Sequence, residues 1–204
     1  LQHEFLQATD FGKEIIPQSI HQYKVASYQY SGYWTDIGNI HSFFEANLEL
    51  TKDLPAFDLF DSNRTIYTRP RMLPPAKISG TTLEKALVAE GSIIHASRLE
   101  HSVIGIRSRI GHGTTIVSSY LMGSDYYETL EEIESAAKDG TPPLGVGERC
   151  YIHNAILDKN VRIGNDVRID GGSHLENADH ELYTVKDGIV VVKKGAILPS
   201  GFVI

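Results

Sequence analysis

Four apolar residues, Leu99, Ile104, Ile110 and Ile116, follow one another at spacings of 5, 6 and 6, and Ile152, Leu157, Ile163 and Ile169 repeat those spacings 53 residues later. Arg109-Ile110-Gly111 and Arg162-Ile163-Gly164 mark the same phase in the two copies. A beat of six fits neither the 3.6-residue turn of a helix nor the two-residue alternation of a strand. It fits a coil of parallel strands in which each flat side takes six residues, so the chain is expected to be mainly β, with a left-handed parallel β-helix of hexapeptide repeats as its largest part. Ile, Leu and Val would then stack on their counterparts one turn above and below, while Gly111, Asn160 and Gly164 relieve corners that need positive φ.

The beat starts loosely at Ile78 and Val88, is firm from Ile93 to Ile116, breaks over about 118–145, and returns at Val191, Ile197 and Val203. Within the break, Thr129 to Lys138 is rich in helix formers and ends at Asp139-Gly140, which predicts a helical excursion thrown out from one corner. Upstream, Val25 to Tyr30 alternates like a strand, Tyr33 to Gly38 reads as a compact turn, and Ile40, Phe43, Phe44, Leu48 and Leu50 predict a helix over 40–52, capped by Asn39 or Thr35. Pro55, Pro70, Pro74 and Pro75 exclude a helix interior from the stretch between. Three parts are therefore expected: 1–52, a proline-rich connector at 53–77, and the coil at 78–204. A coil exposes a backbone edge at each end, and the connector with residues 1–52 is expected to cap one of them.

The net charge of −7 excludes a general nucleic-acid grip, which needs clustered cations, but leaves room for a local cationic pocket. The single Cys150 forms neither an internal disulfide nor a thiolate zinc site, so a reduced, cytoplasmic setting is the default. No apolar run reaches the roughly 20 residues that span a bilayer, and no membrane partner is expected. Leu1-Gln2-His3-Glu4 carries no initiating Met and reads as a start in mid-domain.

Three groups of residues could carry chemistry. Asp36, on a turn before Gly38, is placed to hold Mg²⁺ against phosphates or, more plainly, to cap the following helix; Asp10 before Phe11-Gly12 is either a turn former or a ligand contact. His95, His101, His112 and His153 lie in the coil without metal spacing and are expected as solvated surface groups. Arg69 and Arg71 flank Pro70, and Lys193-Lys194 sit near the end of the coil; Arg suits bidentate phosphate binding and Lys a point-charge contact.

Several stretches then point to a family. Gly32-Tyr33-Trp34-Thr35-Asp36-Ile37-Gly38, Phe43 to Leu48, Ile66 to Lys77, Glu100 to Ser108, Met122 to Thr129 and Asp187 to Val192 together resemble the C-terminal portion of ADP-glucose pyrophosphorylase (glucose-1-phosphate adenylyltransferase). The resemblance implies an enzyme joining ATP and glucose 1-phosphate into ADP-glucose and pyrophosphate for glycogen or starch synthesis. Residues 1–52 would be the α/β tail end of the nucleotidyltransferase domain. It implies Asp36 as the Mg²⁺ ligand and catalytic residue, and Asp10, Phe11 and Trp34 as lining the glucose 1-phosphate pocket. Arg69, Arg71 and Lys194 match positions that bind a phosphorylated metabolite effector, and the family assembles as a homotetramer. A second regulatory lysine of photosynthetic relatives corresponds to Gly172, so an unchanged response to 3-phosphoglycerate is not expected.

The glycine-rich nucleotide loop and the remaining catalytic groups of that family have no counterpart in these residues, so the chain is expected not to turn over alone. Two alternatives stand beside this reading. One is a stand-alone hexapeptide-repeat acyltransferase with a His base and a CoA thioester; the other is a purely structural oligomerisation module.

Overall fold

A computed structural model describes residues 5–204. Two compact units divide at Trp34 and Thr35. In the first, Asp10 caps a π-helical turn, Phe11–Ile15, which runs into a short helix α1, Ile16–Gln22, and no described residue of either is buried. The expected strand at Val25 to Tyr30 is absent. Residues 23–33 are exposed and irregular, and among the described residues no strand pairs with them. Alternation of Val and Tyr marks a surface that suits a sheet, but a strand forms only where another edge supplies its hydrogen bonds.

The second unit is a three-sided parallel coil. Its first side stacks Lys77–Ile78, Ile93–Ile94, Arg109–Ile110, Gly145–Val146, Arg162–Ile163 and Ile197–Leu198. The second side runs from Thr82 through Arg98, Thr115 and Tyr151 to Arg168. The third passes through Ala86–Val88, Ser102–Ile104, Tyr120–Leu121, Ala155–Leu157 and Ile189–Val192. One full turn takes 16 residues at the start of the coil, as from Thr82 to Arg98, and 17 further on, as from Arg98 to Thr115.

The six-residue beat is the core. Ile94, Ile110, Val146, Ile163 and Leu198 form one inward ladder. Leu99, Ile116, Ile152 and Ile169 form the second; Ile104, Leu121, Leu157 and Val192 form the third. All eight residues that define the two sequence copies are at most 2% exposed. Each such side chain contributes about 1.5–3 kcal/mol by leaving water.

The last turn departs from the expected phase. Val190, Val192 and Leu198 point inward, whereas Ile197 is 43% and Val203 66% exposed. The cause is a second excursion, Gly171 to Gly188, which folds back as antiparallel strands Ala178–Asp179 and Tyr183–Lys186 against Ile189–Val192. The first excursion also leaves later than expected, after Tyr120–Leu121 has completed the third side, and the coil resumes at Gly145.

Corners follow two rules rather than one. Lys85, His101, Ser118 and Asn154 hold positive φ at the corner between the second and third sides, and Arg107 and Asn160 do so after the third. Gly111 and Gly164 do not have positive φ; they are glycines because a Cβ at Gly111 would lie 2.7 Å from Gly147 backbone, and one at Gly164 2.5 Å from Ser200. Those corners need a missing side chain, not an unusual dihedral.

Helix α2, Ile40–Glu49, is capped by Asn39, whose side chain accepts the Ser42 N–H at 2.8 Å in a reciprocal capping box. Neither Thr35 nor Asp36 caps it. Phe44 and Leu48 pack on Ile156 and Ile189, flanked by Phe43, Tyr120 and Val191. The helix therefore covers the outside of the third side and does not cap the coil's end, where Lys77–Ile78 and Thr82–Val88 form the outermost rung. Between them, residues 53–76 hold no helix or strand. Helix α3, Leu130–Lys138, lies in the first excursion with a Thr129–Glu132 capping box.

Candidate functional site

A cleft of about 280 Å³ opens where the connector passes the corner after the third side, lined by Arg69, Pro70, Arg71, Ile106, Arg107, Asp125 and Lys159. Each element has a local reason to be there. Pro70 fixes an extended path that carries both arginines. Arg107 and Asn160 occupy equivalent corners of different turns, with φ of +56° and +61°. Asp125 stands at the root of the first excursion.

Asp125 and Asn160 bind each other reciprocally: the Asp125 N–H donates to Asn160 Oδ1 at 2.8 Å, and Asn160 Nδ2 donates to Asp125 Oδ2 at 3.0 Å. Lys159 Nζ reaches Asp125 Oδ1 at 2.6 Å, and Lys194 Nζ lies 3.9 Å from Asp125 Oδ2. The hydrogen bond from Lys159, then that from Asn160 and the charges of Lys159 and Lys194, hold the Asp125 carboxyl below the usual range. Arg107 lies over the Tyr127 ring, 5.6 Å from its centre, and donates to Ser124 O; the Tyr127 hydroxyl donates to Gly91 O at 2.8 Å.

Among the described residues, Arg69, Arg71 and Arg107 have no carboxylate in ion-pair range. Five cationic side chains thus gather about one carboxylate in a chain whose net charge is −7. Guanidinium forks and ammonium groups so arranged favour a multiply charged anion, above all a phosphate ester.

Of the residues singled out in the sequence, Arg69 and Arg71 line this cleft and Lys194 joins it through Asp125. Arg107, Asp125 and Lys159 were missed, although the repeat carries a signal for one of them: Arg107 lies 53 residues before the corner residue Asn160, the same offset that relates the apolar copies. Asp36 is exposed and folds its carboxylate beside Gly38. In the other unit, Asp10 accepts the Lys13 N–H at 2.8 Å, and Phe11 and Trp34 are 60% and 77% exposed.

His95, His101 and His153 are half-buried rather than solvated, whereas His112 is exposed as expected. His95 stacks on His112, ring centres 4.6 Å apart, and its Nδ1 is buried without a partner. Both imidazoles line a groove of about 570 Å³ between the coil and α3, with Ile133, Ala137, Arg109 and Glu148. His153 Nδ1 lies 3.1 Å from Asp170 Oδ1, and His101 Nδ1 3.2 Å from the Ser118 hydroxyl. Among the described residues no group of three His, Cys, Asp or Glu side chains could hold a metal ion, and no helix is long and apolar enough to cross a membrane.

The class is thus a hexapeptide-repeat β-helix with a cluster of cationic side chains at one corner. Residues 71–203 match the GLGC left-handed parallel beta-helix domain, and the chain belongs to that family. Residues 2–53 match the nucleotidyl transferase family. The two matches in this order correspond to the C-terminal portion of an ADP-glucose pyrophosphorylase, as the sequence motifs imply.

Proposed function

We propose that this chain is the regulatory and assembling part of a glucose-1-phosphate adenylyltransferase, and that the cationic cleft takes a phosphorylated metabolite. The surplus of Arg69, Arg71, Arg107, Lys159 and Lys194 over Asp125 carries the reading. A sugar phosphate spreads two or more charges over several oxygens, which matches forked and point cations set around one opening. In the whole enzyme, glucose 1-phosphate attacks the α-phosphorus of ATP in line and pyrophosphate leaves. Asp36 would be a Mg²⁺ ligand there, and a single exposed carboxylate suits an ion held largely by substrate phosphates and water. The ion neutralises charge on the reacting phosphates when bound. Asp10, Phe11 and Trp34 would border the sugar phosphate. The assembly is a homotetramer acting in the cytoplasm.

Equilibrium binding of fructose 1,6-bisphosphate tests the cleft. Arg69→Ala and Lys194→Ala should each weaken binding about tenfold, roughly the strength of one charge-assisted contact. Unchanged affinity in both variants would overturn the regulatory assignment and leave a structural module. The 204-residue chain supplied with ATP, Mg²⁺ and glucose 1-phosphate should release no pyrophosphate; measurable release would refute the claim that it does not turn over alone.

A further inference from the structure

We propose that Asp125 is a built-in occupant of the cationic cleft, and that an anionic ligand binds by displacing its carboxylate from Lys159 and Lys194. This rests on the reading of the cleft as a phosphate-ester site. Among the described residues Asp125 is the only carboxylate lining the opening, and it engages the ammonium groups of Lys159 and Lys194, at 2.6 Å and 3.9 Å. The three guanidinium groups across the opening stay without an ion-pair partner among the described residues. One internal anion therefore engages two of the five cations and leaves the charge of the other three to attract an incoming one.

The attachment of Asp125 suits release. Its backbone has anchors of its own, the Asp125 N–H donating to Asn160 Oδ1 at 2.8 Å and the Ser124 N–H to Ile106 O at 2.9 Å, while the neutral Asn160 Nδ2, at 3.0 Å from Asp125 Oδ2, supplies the further bond that release of the carboxylate breaks. The carboxylate can swing away while the main chain stays. It is 41% exposed, so water can receive it without a large desolvation change. Lys159 and Lys194 are 35% and 62% exposed and reach outward on long, flexible stems. A dianionic phosphate offers each ammonium more charge than one carboxylate does, and it also engages Arg69, Arg71 and Arg107.

The cleft then has two states: closed on Asp125, and open on ligand. A ligand pays for breaking the Asp125 contacts, which lowers its apparent affinity. Asp125 also stands at the root of the excursion that carries Tyr127 and α3, so its release alters how that segment is held to the coil.

The test is binding of fructose 1,6-bisphosphate and of inorganic phosphate to the 204-residue chain at fixed ionic strength. Asp125→Asn keeps the shape and the backbone bond to Asn160 but removes the competing charge. It should bind both probes about tenfold more tightly than the parent. Unchanged or weaker binding overturns the proposal. The gain should vanish when Lys159→Ala and Lys194→Ala are added, because Asp125 then has nothing to release. A gain that persists in that background reflects loss of a negative charge from the surface and also overturns displacement. Circular dichroism melting confirms that each variant is folded. Failure of the cleft itself reads differently: Arg69→Ala and Lys194→Ala would then leave the parent's affinity unchanged, whatever Asp125→Asn does.

Discussion

A single methyl group decides whether the corner after the first side closes. At Gly147 an added Cβ would lie 2.6 Å from Gly164 O and from Asn165 Oδ1, and at Gly164 it would meet Ser200 at 2.5 Å. Gly164→Ala should lower stability by roughly 2 kcal/mol, since the neighbouring turn is packed backbone that cannot give way; thermal melting measures it, and an unchanged midpoint would contradict the close approach. Charged corners work the other way. Arg149 binds Asp166 one turn away at 2.7 Å, and that hydrogen bond and charge hold the Asp166 carboxyl below its usual value. A depressed folded-state pKa means that the pair's stabilisation is present above the unfolded value, about 3.9, and is lost as pH falls through the folded value. Asp125 has the same sign. Stability should therefore fall on acidification below about pH 4, and Asp166→Asn should flatten that slope in acid melts; an unchanged slope would show that the pair contributes nothing.

Elements are held to the coil by a few buried contacts. Glu128, 3% exposed, binds Arg162 at 2.6 Å and accepts the Leu144 N–H at 2.7 Å, so one carboxylate clamps both ends of the first excursion. Arg162 also donates to Pro142 O at 2.8 Å. Glu128→Ala leaves a largely buried guanidinium uncompensated and should cost roughly 3 kcal/mol. Limited proteolysis should then cut within 122–144 well before the coil; equal resistance in parent and variant would show that the clamp is dispensable. Helix α2 depends instead on apolar packing. Phe44→Ala should cost about 3 kcal/mol and free the helix from Ile156 and Ile189, seen as faster amide exchange over Ile40–Glu49. The difference explains which features the sequence revealed. Both helices have caps and amphipathic spacing, which are local signals. That α2 lies along a side of the coil, and that Gly171 to Gly188 folds back as a hairpin, depends on contacts with residues far away in the chain.

Over the whole coil, three aliphatic ladders make a stiff prism in which each turn is fixed by those beside it. Such a scaffold holds Arg107, Lys159 and Lys194, drawn from different turns, at constant spacing, while the connector brings Arg69 and Arg71 to them. The two arginines and Lys194 could be named from the sequence only through family likeness. Nothing in their spacing predicts that residues more than a hundred apart meet at one cleft. Asp125 escaped notice because an Asp at the start of an irregular segment looks like any turn former.

The amino-acid sequence by itself determined the coil, because stacking requires the same kind of residue at every turn and so writes its period directly into the chain. It also determined α2 and α3, whose caps and apolar stripes are local. Only the tertiary structure decided the phase of the last turn, the docking of α2, and the company that Asp125 keeps. Those depend on where the excursions leave and re-enter, and on long-range contacts whose energy belongs to pairs of distant residues rather than to any stretch of sequence.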